Sequence, residues 1–284
     1  MSEPTAPLDA TAVAATPDTA PRRDVILARK GAIARIRALR RAIAMVLVTA
    51  GICISWSLGA LCLFWSRERR RTWRRVLMRR WCKLGCAALG VRVTVRGSLP
   101  KDAQYLVANH LGYLDILVLG GQANAAFVSR ADVEHWPVIG WLAKQFDTVF
   151  LERSKKRDLP TVNADLKERL LRGEIIVMFP EGTSSSGEGL LPFRSPLLGP
   201  PAENGSAVAA ACIRYTTGKG DPDPMHCVAW WGDMEFAPHA SAMLSVTRID
   251  ATIDFAPAAR RDADRKQLAN ALQQDVQALF DSSR

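Results

Sequence analysis

An uncharged, mostly apolar run of 24 residues, from Ala42 to Trp65, constrains the fold of this chain more than any other stretch. A helix of that length can cross a lipid bilayer. The alternative is a helix buried in a protein core, but core helices seldom run uncharged for so long. We therefore expect a membrane helix. Both flanks are basic, and the richer C-terminal flank favours placing the following residues in the cytoplasm.

A second helical pattern follows from Arg67 to Leu89, where arginines alternate with apolar residues spaced three to four positions apart. This spacing puts the apolar side chains on one face of a helix. Tryptophan and arginine suit the boundary between lipid headgroups and water, so we expect an amphipathic helix at the membrane surface. A solvated linker helix is the alternative. The predicted apolar face consists of Trp73, Val76, Leu77, Trp81 and Leu84.

The net charge of +10 is compatible with two kinds of partner, nucleic acid and anionic membranes. The basic residues are concentrated beside the apolar run, which favours the membrane. No helix-turn-helix, zinc-finger or RNA-recognition pattern occurs, so we expect no nucleic-acid partner. The six cysteines form no Cys-x-x-Cys pair and share no zinc-ligand spacing with a histidine. We therefore expect reduced thiols in a cytoplasmic domain and no bound metal.

From about residue 90, short apolar strands alternate with helical patterns. This predicts an α/β fold in which helices flank a mixed, mostly parallel sheet, preceded by the N-terminal membrane helix and the amphipathic helix. We expect a disordered basic segment (residues 1–34), a membrane-associated two-helix region (residues 35–89) and a folded domain (residues 90–284). The predicted strands are Val91–Arg96, Tyr105–Ala108, Ile175–Phe179, Val208–Tyr215 and His226–Trp231. One predicted helix of the domain begins at Tyr113, and two others cover Leu159–Arg172 and Ala263–Phe280.

A histidine and a carboxylate, His110 and Asp115, stand five positions apart between apolar segments. Such a pair can make a hydroxyl group nucleophilic, because the carboxylate holds one imidazole nitrogen while the other removes a proton. On one regular helix the two side chains would point about 140° apart. The pair therefore needs His110 in a loop and Asp115 in the helix that follows. A structural histidine is the alternative, since this spacing often arises by chance.

A second polar segment ends the predicted strand Ile175–Phe179, with the sequence Pro-Glu-Gly-Thr at residues 180–183. Gly182 would let a ligand approach the backbone closely. Hydroxyl groups at residues 183–186 add hydrogen-bond donors with little bulk, which suits a polar or phosphate headgroup. The alternative is an ordinary turn that connects a strand to a helix.

Together these two segments resemble the glycerolipid acyltransferase family, whose type members are the 1-acylglycerol-3-phosphate acyltransferases. The family pattern Asn-His-x4-Asp matches Asn109, His110 and Asp115, and its Phe-Pro-Glu-Gly-Thr block matches residues 179–183. The resemblance extends from about residue 90 to about residue 235, with its blocks in the family's order. Its other matching segments are residues 127–130, 136–141, 149–153 and 190–194.

The resemblance implies a role for each matching residue. His110 would be the general base, Asp115 would fix its tautomer, and Arg153 would bind the headgroup of the acceptor. No serine or cysteine nucleophile is required, so donor and acceptor would react in a ternary complex. Residues that would shape the headgroup site or add anionic contacts are Glu181, Gly182, Thr183, Ser184, Arg130 and Arg194.

The implied activity is that of a membrane-bound O-acyltransferase of lipid biosynthesis, which moves a fatty acyl group from an acyl thioester to a lysolipid hydroxyl. The first candidate acceptor is 1-acylglycerol-3-phosphate, giving phosphatidic acid in phospholipid biosynthesis. The donor would be an acyl carrier protein or coenzyme A thioester, with no cofactor. In the family's two-helix motif, the first helix either spans the bilayer or enters one leaflet. We expect the inner (cytoplasmic) membrane, with the acyltransferase catalytic domain (residues 90–284) on its cytoplasmic face.

Departures from the family pattern bear on the acceptor. Ser184 stands where the family commonly has an arginine, and residues 207–215 lack the usual proline. Losing a cation there weakens the case for a doubly charged phosphate monoester. Residues 230–239 resemble a branch that acylates lyso-ornithine lipid, which is the alternative acceptor. A lipid-ester or thioester hydrolase is a lower alternative, and the intact pair of His110 and Asp115 argues against a non-catalytic membrane adaptor.

Overall fold

The computed structural model describes residues 26–135, 140, 143–144, 148–151 and 159–282. The strands are β1 (Val91–Arg96), β2 (Tyr105–Ala108), β3 (Ala125–Arg130), β4 (Val149–Leu151), β5 (Ile175–Met178), β6 (Val208–Thr217) and β7 (Ile249–Phe255). The α-helices are α1 (Ala32–Cys62), α2 (Arg67–Leu89), α3 (Leu114–Gly120), α4 (Leu159–Leu171), α5 (Gly199–Glu203), α6 (Pro224–Cys227), α7 (Phe236–Ser245) and α8 (Arg265–Asp281).

The described strands form one sheet of seven in the order β1-β7-β6-β2-β5-β3-β4. Every neighbouring pair is parallel except β6 and β7, which are antiparallel. The predicted mixed, mostly parallel sheet is therefore confirmed. Strands β2 and β5 are neighbours in register, with Val107 opposite Met178. Because the two strands run in the same direction, the segments that follow them leave the sheet side by side.

Helices cover both faces of the sheet, and strand β2 contributes to both cores. Its four residues are all buried, which explains why they form a continuous apolar run. Leu106 and Ala108 join the core formed with α2 and α3. Tyr105 and Val107 point to the other side and join the core formed with α4 and α8. The loop after β2 therefore starts from a rigid, central position.

Helices α1 and α2 form an antiparallel hairpin that is joined by hydrogen bonds. The indole N–H of Trp73 donates to the carbonyl oxygen of Ser55 (3.1 Å), and that of Trp81 donates to the hydroxyl of Thr49 (3.1 Å). At the other end of α1, the buried Arg41 guanidinium donates to the carbonyl oxygens of Val246 (2.7 Å) and of two neighbouring residues. These contacts attach the first half of α1 to the domain.

Within the described residues, α1 is the one helix long and apolar enough to cross a membrane. Only 6% of its most apolar 18-residue window is buried, so a helix buried in a core is the wrong interpretation of this segment. Large apolar side chains are exposed along its whole length, from Ile33 to Leu61. This surface suits the membrane association expected of a lipid acyltransferase.

Helix α2 has the bounds that the sequence predicted, and its apolar face is divided between the protein interior and the surface. Of that predicted apolar face, Leu77 and Trp81 are buried within the protein, whereas Val76 and Leu84 are 39% and 49% exposed. The remaining buried positions of α2 are taken by Met78, Cys82, Gly85, Cys86 and Leu89. Small residues face the domain here because α3 approaches α2 closely, with the Leu117 side chain 3.3 Å from the place of a Cβ at Gly85.

Most predicted elements agree with the structure to within two residues, but the strand predicted at His226–Trp231 is wrong. Residues 224–227 form the short helix α6 instead. The Asp223 side chain caps this helix by accepting from the backbone N–H of Met225 (3.0 Å), and Pro224 occupies its first turn. Both features favour a helix start. The six cysteines are free thiols, as expected.

Candidate active site

The loop after β2 carries His110, and the first turn of α3 carries Asp115. This change from loop to helix brings the two side chains together, with His110 Nδ1 2.7 Å from Asp115 Oδ2. The Asp115 side chain is fully buried, whereas 23% of the His110 side chain is exposed. The carboxylate is therefore enclosed while the imidazole remains open to a substrate.

Asp115 is held by four donors. Its Oδ2 accepts from His110 and from the backbone N–H groups of Leu111 (2.7 Å) and Gly112 (3.0 Å). Its Oδ1 accepts from the hydroxyl of Tyr215 on β6 (2.6 Å). Burial, together with the negative charge of Asp115, raises the pKa of Tyr215 well above its usual range, so the phenol keeps its proton and acts as a donor. These contacts fix the orientation of the carboxylate.

Gly112 makes the turn between the two residues possible. Its φ of 152° is one that side-chain-bearing residues rarely adopt, and an added Cβ would lie 3.1 Å from the Trp230 backbone nitrogen. Next to this contact, the Trp230 N–H donates a hydrogen bond to the carbonyl oxygen of Leu111 (2.7 Å), which holds the two segments together. A larger residue at position 112 would displace the loop and the donors that it gives to Asp115.

The His110 ring is fixed in orientation on both sides. Its Nδ1 donates to Asp115, which leaves the lone pair on Nε2. Its face stacks on the Phe179 ring, with centroids 4.1 Å apart and an angle of 17° between the planes. An imidazole held in this way can accept a proton at Nε2 from a hydroxyl group placed beside it.

Asn109 attaches the same loop to the sheet. Its side-chain amide donates to the carbonyl oxygen of Ile213 (2.9 Å) and accepts from the Ile213 N–H (2.7 Å). Asn109 is 1% exposed, so these two hydrogen bonds satisfy a buried amide. Strand β6 thus holds the loop through Ile213 and the first turn of α3 through Tyr215.

The segment after β5 packs against the His110 loop. The Ser185 N–H donates to the carbonyl oxygen of His110 (2.9 Å), and the Ser184 hydroxyl donates to the carbonyl oxygen of Trp230. Gly182 has a φ of 77°, in the left-handed region, which turns the chain after β5. The Ser184 hydroxyl is therefore engaged within the protein, while the Thr183 side chain is exposed beside it.

Glu181 is buried beneath these loops and is only 1% exposed. Burial raises the pKa of Glu181 to about 8, and the negative charge of Asp115 acts in the same direction. The backbone N–H groups of His110 and Leu191 oppose this shift without reversing it, and neither forms a regular hydrogen bond with the carboxyl group. At neutral pH the carboxyl group is therefore mostly protonated. Glu181 lies beneath the loops that carry His110 and Ser184, so any influence on the headgroup site that the sequence predicts for it would act through the shape of these loops.

The predicted arginines fall in three different situations. Arg130 ends β3, at the same edge of the sheet as the segment after β5. Arg194 is exposed, and its backbone N–H donates to the carbonyl oxygen of Pro180 (2.8 Å), which brings it close to the Glu181 segment. Arg153 lies outside the described residues, as do Trp136 and Trp141.

An aromatic cluster lies on the other side of the His110 loop. The hydroxyl of Tyr113 is 3.0 Å from Nδ1 of His239, and the rings of Trp230 and Phe236 pack around Tyr113. His239 is fully buried, and burial lowers its pKa to about 4. His239 is therefore neutral at physiological pH.

Tyr215 belongs to the site, although the sequence patterns predict it only as the last residue of an apolar strand. A tyrosine in a buried strand needs a partner for its hydroxyl group, which was the one available signal. The identity of that partner depends on the pairing of β6 with β2, because Tyr215 and Asp115 are 100 positions apart in the chain.

Comparisons with known proteins agree with this arrangement. Residues 91–198 match the family model described as Acyltransferase. The chain is 36% identical to the lyso-ornithine lipid O-acyltransferase of Rhizobium meliloti over 233 residues, which are 78% of each chain. It is 37% identical to the enzyme of the same name from Pseudomonas aeruginosa over 209 residues, 73% of this chain and 80% of that one.

Two further comparisons concern enzymes of the glycerophosphate type. The chain is 30% identical to the 1-acyl-sn-glycerol-3-phosphate acyltransferase of Neisseria gonorrhoeae over 200 residues, 68% of this chain and 76% of the relative. Among solved structures, the LPA acyltransferase PlsC of Thermotoga maritima superposes with a TM-score of 0.60 at 21% identity. That match covers 88% of this chain and 98% of PlsC and supports the same fold.

Proposed function

Since the chain belongs to the glycerolipid and lysophospholipid acyltransferase family and is an acyltransferase, we propose that it transfers a fatty acyl group from an acyl thioester to the hydroxyl of lyso-ornithine lipid. The observation that carries the chemistry is the 2.7 Å contact between His110 Nδ1 and Asp115 Oδ2, in a pair whose imidazole side chain is 23% exposed while the carboxylate is fully buried.

The proposed reaction is a direct transfer. The acceptor hydroxyl gives its proton to His110 Nε2 as its oxygen attacks the carbonyl carbon of the thioester. The tetrahedral intermediate then collapses, the C–S bond breaks, and the leaving thiolate takes the proton from the imidazolium. The products are an ester and a thiol. General-base assistance of this kind accelerates a reaction by roughly 10²–10⁴.

No covalent acyl-enzyme is needed in this scheme. The described cysteines of the domain, Cys212 and Cys227, are fully buried, and burial raises the pKa of each thiol to about 12. Neither is a thiolate at neutral pH, so neither suits the role of a nucleophile. We assign the developing oxyanion to backbone N–H groups of the loops around His110.

The choice of acceptor is supported by two observations. The two lyso-ornithine lipid O-acyltransferases described above are 36% and 37% identical to this chain, against 30% for the Neisseria relative. Ser184 supplies no positive charge where the family commonly has an arginine, and its hydroxyl is engaged with Trp230. An ornithine headgroup carries one carboxylate and one ammonium group, and it needs less positive charge than a phosphate monoester. The second candidate is 1-acylglycerol-3-phosphate, as in the Neisseria relative.

The remaining features of the proposal concern the donor and the location of the enzyme. The donor is an acyl carrier protein or coenzyme A thioester, and no cofactor or metal takes part. Arg153, Arg130 and Arg194 are the proposed contacts for anionic groups of the substrates. The arginine-rich flank after α1 supports an inner-membrane location with the catalytic domain on the cytoplasmic face.

The proposal is tested by incubating the purified full chain in mixed micelles with a labelled acyl thioester and each lysolipid in turn. We expect a labelled diacyl product from lyso-ornithine lipid at a higher kcat/KM than from 1-acylglycerol-3-phosphate. The reverse order would make the second candidate the true acceptor. Release of free labelled fatty acid without a new ester would identify a hydrolase and contradict the proposal.

A further inference from the structure

A pocket of about 320 Å³ lies away from His110, between the C-terminal end of α1, the N-terminal half of α2 and helix α4. Its volume is in the range of ligand-binding pockets. We call it the arginine pocket, because six of its described lining residues are arginines against one aspartate and one glutamate. The lining consists of Trp56, Arg67, Arg70, Arg71, Arg74, Asp165, Glu168, Arg169 and Arg172.

The carboxylates around this pocket are fewer than its arginines. Glu168 pairs with Arg71 (2.9 Å) and Arg172 (2.7 Å), and Asp165 pairs with Arg169 (3.0 Å). Glu174, which is not part of the described lining, also pairs with Arg172 (3.1 Å) and Arg169 (3.5 Å). Three arginines therefore share three carboxylates, and Arg67 and Arg70 add further positive charge around the same space.

Two observations indicate that the pocket suits an anion. The Nε of Arg70 is buried and has no hydrogen-bond partner in the described part of the chain. Burial and the positive charges of Arg169, Arg71 and Arg172 lower the pKa of Arg74 to about 10, although the negative charge of Glu174 acts in the opposite direction. Buried donors are normally satisfied, and neighbouring guanidinium groups repel one another, so a further anion would be stabilised here. A phosphate group would accept several of these donors at once.

The arginine pocket is distinct from the candidate active site. Arg172 pairs with Glu174 (3.1 Å), which immediately precedes β5, whereas the segment that contacts His110 follows β5. The strand between them has four residues, or roughly 13 Å of extended chain. The pocket therefore lies towards the opposite edge of the sheet from the His110 and Asp115 pair.

The surroundings of the pocket favour a lipid over a free anion. The Trp56 ring of α1 forms part of the wall, with the Arg74 guanidinium carbon 5.9 Å from its centroid. Beside it on the same end of α1, Ile54, Leu58 and Leu61 are 58% to 71% exposed. Guanidinium groups and an exposed apolar helix surface thus meet at the pocket, as the headgroup and the tails of a phospholipid require.

We propose that the arginine pocket binds the phosphate group of an anionic membrane phospholipid, whose tails lie along the exposed apolar surface of α1. The lipid would bridge α1, α2 and α4 and attach the hairpin to the domain at the membrane surface. This lipid is a separate ligand from the acyl acceptor, and its binding does not depend on the identity of that acceptor.

The test uses the purified full chain in micelles of an uncharged detergent and measures lipid binding by isothermal titration calorimetry. Three probes are compared: dioctanoyl phosphatidylglycerol, dioctanoylglycerol, which has tails without phosphate, and inorganic phosphate, which has no tails. We expect saturable binding of one phosphatidylglycerol, with the other two probes binding at least about tenfold more weakly. If dioctanoylglycerol binds as tightly as phosphatidylglycerol, the pocket does not recognise phosphate. If inorganic phosphate binds as tightly, the ligand is a free anion and not a lipid.

Two matched double variants locate the site. Arg67→Gln/Arg70→Gln should weaken phosphatidylglycerol binding about tenfold, because charge-assisted hydrogen bonds are lost. Arg92→Gln/Arg265→Gln removes the same charge from two exposed arginines on β1 and α8 and should change binding less than about twofold. Equal weakening in both variants would show attraction to the overall charge and overturn the pocket.

Two controls separate this inference from the fold and from the proposed function. Arg67→Gln alone changes an exposed side chain with no ion pair in the described structure, so it should fold and still weaken binding. His110→Ala should bind phosphatidylglycerol as the unchanged protein does. Loss of binding in His110→Ala would place the lipid in the candidate active site and contradict the separate pocket.

Discussion

The hydroxyl of Tyr215 lies 2.6 Å from Oδ1 of Asp115, on the opposite side of the carboxylate from His110. The aspartate that orients the imidazole is therefore itself oriented by a residue from β6. The arrangement extends the pair of His110 and Asp115 into a line of three side chains, of which Tyr215 and Asp115 are buried and His110 is open to a substrate.

Replacing Tyr215 by phenylalanine removes one of the four donors to Asp115. We expect kcat to fall about tenfold with little change in KM, because the lost charge-assisted hydrogen bond lies in the buried interior and orients Asp115. Steady-state acyl transfer measures this. Tyr105→Phe is the matched control, because Tyr105 is also buried but points into the core on the other face of the sheet, away from Asp115, and loss of its hydroxyl should leave kcat unchanged. A similar decrease in both variants would show a general packing effect.

Replacing His110 by alanine removes the proposed general base. We expect kcat to fall by at least roughly 10²–10⁴, while membrane association and the melting temperature stay close to those of the unchanged protein. Transfer assays and membrane flotation measure the two properties. His135→Ala, at an exposed position, is the control and should transfer acyl groups normally. Full activity of His110→Ala would rule out the mechanism.

Glu181 should make stability depend on pH. Burial raises its pKa to about 8 from an ordinary value of 4.5, so the folded protein holds a proton that the unfolded chain releases between these pH values. Its contribution to stability is therefore present at low pH and is lost as the pH rises. Relative to Glu181→Gln, which carries no titrating group, the unchanged protein should lose roughly 1.4 kcal/mol of unfolding free energy per pH unit in this range.

Denaturant unfolding of both proteins from pH 5 to pH 9 measures this difference. The two curves of unfolding free energy should diverge up to about pH 8 and run parallel above it. Parallel curves over the whole range would mean that Glu181 is ionised in the folded protein. Glu181→Gln should also keep most of its acyl transfer at pH 7, because glutamine resembles the protonated acid.

Ser184 should influence the choice between the two candidate acceptors. Ser184→Arg places a guanidinium group beside the His110 loop, where it could pair with a phosphate monoester. We expect the ratio of kcat/KM for 1-acylglycerol-3-phosphate to that for lyso-ornithine lipid to rise about tenfold. Competition between the two labelled lysolipids measures this ratio. Ser186→Arg, two positions further along, is the control, and an equal change there would reflect only added positive charge.

Local sequence patterns predicted much of the fold and the centre of the site. The three-to-four spacing of apolar residues in α2 predicted its bounds, and continuous apolar runs predicted β2 and β5. The spacing between His110 and Asp115 required a change from loop to helix, and the structure places that change between them. These features depend on residues close together in the chain, so local propensity and periodicity determine them.

The differences between pattern and structure share another cause. Apolar residues predict a strand at His226–Trp231, but Asp223 and Pro224 start a helix at this place in the structure. The apolar face predicted for α2 is divided in the structure, because α3 packs against α2 from a direction that leaves Val76 and Leu84 exposed. In both cases the local apolar pattern does not specify which surface the side chains meet.

The class of fold, the long apolar helix α1, and the loop and helix that carry His110 and Asp115 follow from local patterns of residues. Three features do not follow from such patterns: Tyr215 completes the hydrogen bonds of Asp115, Glu181 is buried beneath the loops, and arginines of α2 and α4 share one pocket. These contacts join residues that are distant in the chain. Strand order and the packing direction of helices determine these contacts, and no single stretch of sequence specifies either of them.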